Sequence, residues 1–179
     1  MIATRAIEVG EELNDSYIHL LQSKADRKSQ LYEIYGFDCQ CRVCTQSDSK
    51  LDDAKRVKAA ELEDLIIETA AESGPEVAIQ LSLDLIRLLN SEAAASWGER
   101  YRGKPLIQRI PGMILRTAGA YFSAYMLLQA LHRSADALRH VREAFTLSRL
   151  YEGERSPQTL RCKAILEAEG GACLPLAES

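Results

Sequence analysis

Three cysteines in the stretch YGFDCQCRVC, residues 35–44, are the feature that most constrains this chain. Cys39, Cys41 and Cys44 follow the spacing C-x-C-x-x-C shortly after a glycine, so their sulfur atoms can converge on one point. Zinc takes sulfur ligands in a tetrahedron, whereas a disulfide within C-x-C is strained and three thiols leave one unpaired. Asp38, Gln40 and Arg42 alternate with the cysteines, which argues against a buried cluster. The sequence predicts a zinc site, with redox-active or surface thiols and core cysteines as alternatives.

A zinc site normally has a fourth ligand, and none stands beside these three cysteines. Cys162 and Cys173 lie far along the chain, and Cys162 occupies an amphipathic stretch typical of a packed small hydrophobe. His19 is a candidate by proximity, although a lone histidine in such a segment is more often a surface or structural residue. His132 and His140 have no cysteine neighbour at ligand spacing. Neither of these two is expected to be functional.

Charge and hydropathy exclude several classes of function. The 179-residue chain has a formal charge of -4, which argues against the broad basic surface needed for direct nucleic-acid binding. No apolar run approaches the roughly 18 residues of a membrane span, and the opening MIATRAIEVGEEL lacks the apolar core of a signal peptide. The sequence therefore predicts an intracellular protein of the nucleus or cytoplasm, with no membrane partner. Clustered cysteines in a reducing compartment are more often metal ligands than disulfides.

The fold class predicted is mainly α, after a small β or loop region. Residues 1–20 hold two short β-leaning pieces, at 7–9 and 16–18, too few to close a sheet. Ser23 is a plausible N-cap for a first helix that Gly36 would stop. The polar stretch TQSDSKLDD after the cysteines predicts a linker. These signals divide the chain into residues 1–22, 23–46 and a helical region, 51–173.

Breakers in the helical region separate five predicted helices. The first ends at SGP (73–75), and the second runs from Glu76 to about Ser96. The third begins near Pro111, after the loop WGERYRGKP, and continues through AYFSAYMLLQALH. The fourth is capped by Ser134 and ends at Gly153, and the fifth begins at Ser156 and Pro157 and ends at Gly170 and Gly171. Their apolar positions at helical spacing include Leu62, Leu65, Ile66, Leu81, Leu85, Leu88, Leu89, Leu138, Val141, Phe145 and Leu150.

The end of the helical region has a repeat-like spacing. Ala137 and Ala144 stand seven residues apart, where neighbouring helices would approach closely, and YEGERSP follows as a turn. The stretch resembles a tetratricopeptide (TPR) unit, with a plain antiparallel helix pair as the alternative. We expect residues 51–170 to fold without the preceding segment, because their apolar faces offer enough burial. Residues 1–45 are expected to be digested first in limited proteolysis.

The first part of the chain resembles a known family. Residues 3–44 contain G-E-E-L, S-Y-I, a helix, Y-G-F and C-x-C-x-x-C in the order found at the end of a SET domain followed by the post-SET zinc loop. The resemblance is strongest to the SET-and-MYND type and its fungal relatives, in which a helical C-terminal domain follows. It implies that 1–22 is the last part of a SET domain and 23–46 the post-SET helix and zinc loop. It also implies methyl transfer from S-adenosylmethionine to a lysine of a protein or peptide, histone or not.

The resemblance assigns roles to three aromatic residues. Tyr17 would be the tyrosine whose hydroxyl sits at the methyl-transfer centre, Tyr35 would line the channel for the lysine side chain, and Phe37 would pack on the adenine of the cofactor. These residue types suit the chemistry, because transfer depends on positioning a neutral amine behind a sulfonium methyl. Tyrosine hydroxyls can orient the amine, and aromatic walls favour the sulfonium. Tyr17 and Tyr35 could instead be core aromatics of an unrelated fold.

The family pattern has parts that this sequence does not contain. The glycine-rich cofactor segment and the asparagine-histidine motif, beside which the fourth zinc ligand of the family lies, would precede Met1. The sequence-based expectation is therefore a C-terminal fragment of a methyltransferase, or a truncated gene model, that is inactive alone. A non-catalytic helical interaction protein with a vestigial zinc loop is the alternative.

Overall fold

A computed structural model describes residues 8–10, 16–45, 49–90 and 111–169. Within these ranges the chain forms seven helices and no β-strand, which confirms the mainly α fold class. The helices are α1 (Lys24–Tyr35), α2 (Arg42–Thr45), α3 (Ser49–Glu72), α4 (Pro75–Asn90), α5 (Pro111–Ala130), α6 (Ser134–Glu152) and α7 (Pro157–Ala168). The described parts of the two β-leaning pieces, 8–9 and 16–18, are loop. None of the helices in these ranges is long and apolar enough to cross a membrane.

Local capping signals set several of these helix ends. The Ser23 side chain accepts a hydrogen bond from the backbone N–H of Asp26, and Gly36 ends α1 with a left-handed φ of 72°. That conformation is accessible to glycine at little cost, so the chain can turn back toward the cysteines. The Ser156 side chain accepts from the N–H of Thr159, with a proline at the first helical position. These predicted caps are confirmed.

The predicted cap at Ser134 is wrong by one position. Helix α6 begins at Ser134, and Arg133 occupies the N-cap position without a capping side-chain hydrogen bond. His132 adopts a left-handed φ of 55° and turns the chain there. The Arg133 guanidinium binds the Asp136 carboxylate at 2.6 Å, and that carboxylate lies in the first turn of α6, where negative charge is favoured. The terminus is therefore stabilised by an ion pair instead of a serine.

The second half of the predicted linker is helical, because α3 already begins at Ser49. A contact with another helix accompanies this earlier start. The Asp53 carboxylate accepts a hydrogen bond from the backbone N–H of Lys24 at 2.9 Å, so this part of α3 caps the start of α1. The described part of α4 ends at Asn90, and α7 ends at Ala168. The loop WGERYRGKP, the predicted end of α4 near 96, and Gly170 and Gly171 lie outside the described residues.

Helices α3 to α7 pack mainly against their neighbours along the chain. Ala137 and Ala144 are fully buried where α6 meets its neighbours, which agrees with the close approach expected from two small residues. Val141 is also fully buried, whereas Leu65 and Leu150 lie at the solvent-facing edges. Consecutive packing of this kind is compatible with stacked helical hairpins. The TPR-like assignment and the domain boundaries stay predictions.

The segment before α1 is joined to the helical region by both apolar and polar contacts. Leu21 is 2% exposed and belongs to the same hydrophobic core as Ala59 and Leu62 of α3. The Arg56 side chain, itself buried, donates a hydrogen bond to the carbonyl oxygen of Leu20 at 2.7 Å. These contacts fix the position of the residues that precede the cysteine loop.

Candidate metal centre and adjoining aromatic surface

The three predicted cysteine ligands converge in space. The sulfur atoms of Cys39, Cys41 and Cys44 all lie within 4.8 Å of one another. Sulfur atoms bound to one zinc at about 2.3 Å in a tetrahedron stand roughly 3.8 Å apart. Side-chain adjustments of about an ångström, within rotamer freedom, would therefore bring the three sulfurs onto one ion. The residues present fit a zinc ion with three thiolate ligands.

The short helix α2 explains the C-x-x-C part of this geometry. The carbonyl oxygen of Cys41 accepts hydrogen bonds from the backbone N–H groups of Cys44 at 2.9 Å and Thr45 at 3.0 Å. A tight turn of this kind brings residues three apart to the same side. Lys28 of α1 pairs with Asp38 at 3.1 Å just before Cys39, but both partners are partly exposed, so this bridge adds little stability.

The three thiols differ in their surroundings. Cys44 is 4% exposed, Cys39 is half-buried and Cys41 is exposed. Burial raises the pKa of Cys44 to about 11, with Cys41 acting in the same direction and the neighbouring Arg27 guanidinium acting against it. Metal binding must displace the thiol proton, because zinc binds the thiolate. Ionisation of Cys44 is therefore helped by the ion and by nearby positive charge.

No fourth ligand joins this group among the residues that the structure describes. His19 is exposed over part of its surface and does not belong to the group. Cys162 is fully buried in α7, within the main core, as expected of a packed small hydrophobe. Cys173 lies outside the described residues. His132 is exposed, and the Nδ1 atom of His140 lies 2.9 Å from the Asp136 carbonyl oxygen, a contact within its own helix.

The three predicted aromatic residues form one cluster beside the cysteine loop. The ring centroids of Tyr17 and Tyr35 are 5.3 Å apart, and those of Tyr17 and Phe37 are 6.4 Å apart with nearly perpendicular planes. The Tyr35 hydroxyl donates a hydrogen bond to the Tyr17 carbonyl oxygen at 3.3 Å. Residues distant in sequence thus share one surface, which we call the aromatic surface (Tyr17, Tyr35 and Phe37).

The aromatic surface faces outward. Tyr17 is 62% exposed, Tyr35 49% and Phe37 38%. Tyr32 and Ile34 of α1 are exposed as well. Contiguous exposed apolar groups of this kind commonly mark a binding surface, and open aromatic faces attract cations. Within the described residues the surface is an open face, because large parts of all three rings contact solvent.

Sequence reasoning did not single out Arg27, Asp53 and Arg56, the polar residues that hold this region together. Arg27 is 3% exposed and Arg56 5%, unusual values for arginine. A signal for Arg27 was present: it stands four residues before Leu31, which is also buried, so both lie on the inward face of α1. A charge on an apolar helix face indicates a partner of opposite charge, here the half-buried Asp53.

Comparison with known proteins supports the resemblance over short stretches. No family model matches this chain. A putative SET domain-containing protein of Acanthamoeba polyphaga mimivirus is 48% identical over 44 residues, which are 25% of this chain and 17% of that protein. The N-lysine methyltransferase SMYD2 of Gallus gallus is 40% identical over 62 residues, 35% of this chain and 14% of that protein.

The histone-lysine N-methyltransferase SMYD3 of Homo sapiens is 42% identical over 50 residues, 28% of this chain and 12% of that protein. The matches thus span a small part of each relative, at most 17% among these three. Over these stretches the chain is similar to SET-domain and SMYD-type lysine methyltransferases, which confirms the predicted resemblance to part of such a protein.

Proposed function

We propose that this chain forms the C-terminal part of a SET-type protein-lysine methyltransferase. The observation that carries the proposal is the aromatic surface beside the cysteine loop: Tyr17, Tyr35 and Phe37 meet in one exposed cluster. The part-length similarity to lysine methyltransferases supports it. The substrate is a lysine of a protein or peptide, and the methyl donor is S-adenosylmethionine.

In this proposal each aromatic residue has a positioning role. The Tyr17 hydroxyl accepts from the substrate amine and aims its lone pair along the line of transfer. Tyr35 forms a wall for the alkyl part of the lysine, and its hydrogen bond to the Tyr17 backbone fixes the two residues relative to each other. Phe37 packs on the adenine. S-Adenosylmethionine would supply the methyl group on a sulfonium, a cation that aromatic faces favour.

The cysteine loop has a structural role in this proposal. Phe37 precedes Cys39 by two residues and Tyr35 ends α1, so an ion on the cysteines would fix the backbone that carries both rings. Structural zinc sites stabilise such short loops directly. The metal would thereby order one wall of the site without contacting the reacting atoms.

The 179 residues alone are proposed not to bind S-adenosylmethionine measurably and to transfer no methyl group. The aromatic rings are largely solvent-exposed, whereas sites for small molecules enclose most of the ligand. Desolvation of the amine and the sulfonium needs a closed site. The complementary walls would come from a SET cofactor region.

A fusion protein tests this function. The part of chicken SMYD2 that precedes its aligned segment would be joined to this chain, and transfer of labelled methyl groups from S-adenosylmethionine to lysine-containing protein substrates would be measured. We expect transfer by the fusion and none by this chain alone. Tyr17→Phe in the fusion should lower kcat by about 100-fold or more, because the hydroxyl acts in the transition state. Cofactor affinity should change little.

Tyr32→Phe is the matched control, since Tyr32 is as exposed as Tyr17 but lies outside the aromatic surface. It should leave kcat unchanged. A folded fusion that binds zinc yet transfers no methyl group would contradict the proposal and favour the non-catalytic helical interaction module. Saturable binding of S-adenosylmethionine by this chain alone would contradict the expected incompleteness.

A further inference from the structure

A buried arginine stands behind the cysteine cluster. Arg27 of α1 is 3% exposed, and its Nη1 atom donates to the Gln22 carbonyl oxygen and lies 3.5 Å from Oδ1 of Asp53. Its guanidinium is also a neighbour of the Cys44 thiol. Asp53 in turn accepts from the backbone N–H of Lys24. Arg27 thus connects the cysteine loop, the start of α1 and the first turns of α3.

The Nη2 group of Arg27 is buried and has no hydrogen-bond acceptor among the described residues. A buried charged donor without an acceptor lowers the stability of the folded state, so the Nη2 group needs a partner. A neutral thiol is a weak acceptor, whereas a thiolate bound to a metal keeps negative charge and accepts hydrogen bonds well. Metal binding at Cys44 would supply the acceptor that Nη2 lacks.

The net charge of the metal site also favours Arg27 as its partner. Three thiolates on one zinc dication carry one net negative charge, and a buried anionic site is stable only when it is paired. Among the described residues Arg27 is the buried cation beside Cys44, and Asp53 holds its other edge through an ion pair. The planar guanidinium can serve both partners at once because its N–H groups point along different edges.

We propose that Arg27 is a positioning residue of the metal site, which orients the Cys44 thiolate and, through Asp53, couples metal binding to the N-terminal turns of α3. This role rests on the metal site and not on methyl transfer, so it holds or fails independently of the enzymatic proposal. Zinc would then affect residues beyond the loop, since Asp53, the ion-pair partner of Arg27, also accepts the hydrogen bond that holds the start of α1 against α3.

Metal affinity of the full chain tests this role, with Co²⁺ as a spectroscopic probe and zinc measured by competition with a chromophoric chelator. Arg27→Met should weaken zinc binding by about 10- to 100-fold, the usual effect of losing an outer partner of a metal ligand. Arg27→Lys keeps the charge but lacks the planar guanidinium that can bind two partners. It should therefore bind zinc more tightly than Arg27→Met and less tightly than the wild type, with an altered cobalt–thiolate spectrum. Arg56→Met is the matched control, because Arg56 is also a buried arginine but binds the Leu20 carbonyl.

Coupling to α3 has its own readout. Zinc should slow hydrogen exchange in the first turns of α3 in the wild type, and Asp53→Asn should remove this effect with a smaller loss of zinc affinity. Equal zinc affinity in folded Arg27→Met and wild type would overturn the proposal, as would an equal loss in Arg56→Met. If Arg27→Met does not fold, Arg27→Lys decides: unchanged affinity and an unchanged cobalt spectrum would overturn it. Absence of cobalt and zinc binding by the wild type would do so too.

Discussion

The segment of residues 16–45 and the helical region from α3 to α7 differ in how far their apolar side chains are buried. In the helical region Ala137, Val141, Ala144 and Cys162 are fully buried. In residues 16–45 Leu21 and Leu31 are buried, but most of the larger apolar and aromatic side chains are exposed, and Leu21 and a few polar contacts hold the segment against α3. The helical region thus buries its apolar side chains in a core. Residues 16–45 are held by contacts with α3 and keep an apolar surface exposed, as binding surfaces commonly do.

The largest expected effect separates the cysteines of the two regions. Cys39→Ser should abolish stoichiometric zinc binding, because two remaining thiolates cannot hold the ion as three can. Cys162→Ala is the control: this cysteine is buried in α7 and should not affect zinc content. Metal analysis after refolding with zinc measures both. Equal zinc content in wild type and Cys39→Ser would contradict the metal site.

Leu21→Ala should lower the free energy of unfolding by about 2–5 kcal/mol, the usual range for a buried leucine. Leu21 and Leu85 of α4 are each 2% exposed within the same core cluster. Denaturant unfolding of Leu21→Ala and Leu85→Ala should therefore give losses of similar size. If Leu21→Ala were as mild as Ile67→Ala, at a residue 71% exposed, residues 16–22 would not be part of the cooperative unit.

This prediction sharpens the expectation that residues 1–45 are digested first. Leu21 and the hydrogen bond from Arg56 to Leu20 connect the segment to α3, so its removal would leave a cavity and take away this acceptor of the Arg56 side chain. A protein that begins near Lys50 should then be helical but less stable than the full chain. Melting of both proteins by circular dichroism measures the difference.

Serine caps at two helix starts allow a comparison at matched geometry. Ser23 of α1 and Ser156 of α7 each accept a backbone N–H hydrogen bond at 3.1 Å. Replacement by alanine should cost about 1 kcal/mol at each site. If both regions unfold together, the two variants lose global stability equally. If α1 frays alone, Ser23→Ala leaves global unfolding unchanged and speeds hydrogen exchange only within α1. Ser29→Ala, mid-helix in α1, controls for removal of a surface hydroxyl.

The sequence predicted what depends on neighbours along the chain. Ser23, Gly36 and the Ser156–Pro157 pair act within one helical turn, so their types alone indicate helix ends. The cysteine spacing likewise predicts convergence, because one tight turn brings Cys41 and Cys44 together.

What the sequence left undetermined depends on distant partners. Helix α3 starts within the predicted linker because Asp53 meets α1, a contact between residues 29 apart in sequence. The start of α6 depends on the pairing of Arg133 with Asp136 rather than on a serine cap. The burial of Arg27 was open to inference from Leu31, but its partner on α3 was not. Local propensity does not encode which helix a face will meet.

The smallest expected effect reports directly on the docking of the two regions. Partial burial and the Arg116 guanidinium of α5 lower the pKa of His19 below its ordinary value of about 6.5, and the Asp64 carboxylate opposes them. In the unfolded chain His19 binds its proton more readily, so its contribution to stability is present above about pH 6.5 and is lost as the pH falls through the folded pKa. The His19 ring signal in an NMR titration should therefore have its midpoint below that of a free histidine.

Arg116→Met tests the origin of this effect across the two regions. Removal of the cation should raise the pKa of His19 toward the ordinary value, because a nearby positive charge disfavours the imidazolium. Arg87→Met in α4 is the control, since Arg87 pairs with Asp84 of its own helix and should leave the titration unchanged. The signal is assigned by its absence in His19→Gln. A His19 midpoint that does not move in Arg116→Met would mean that residues 16–22 are not held against α3 and α5 in solution, and that the two regions of this chain are independent.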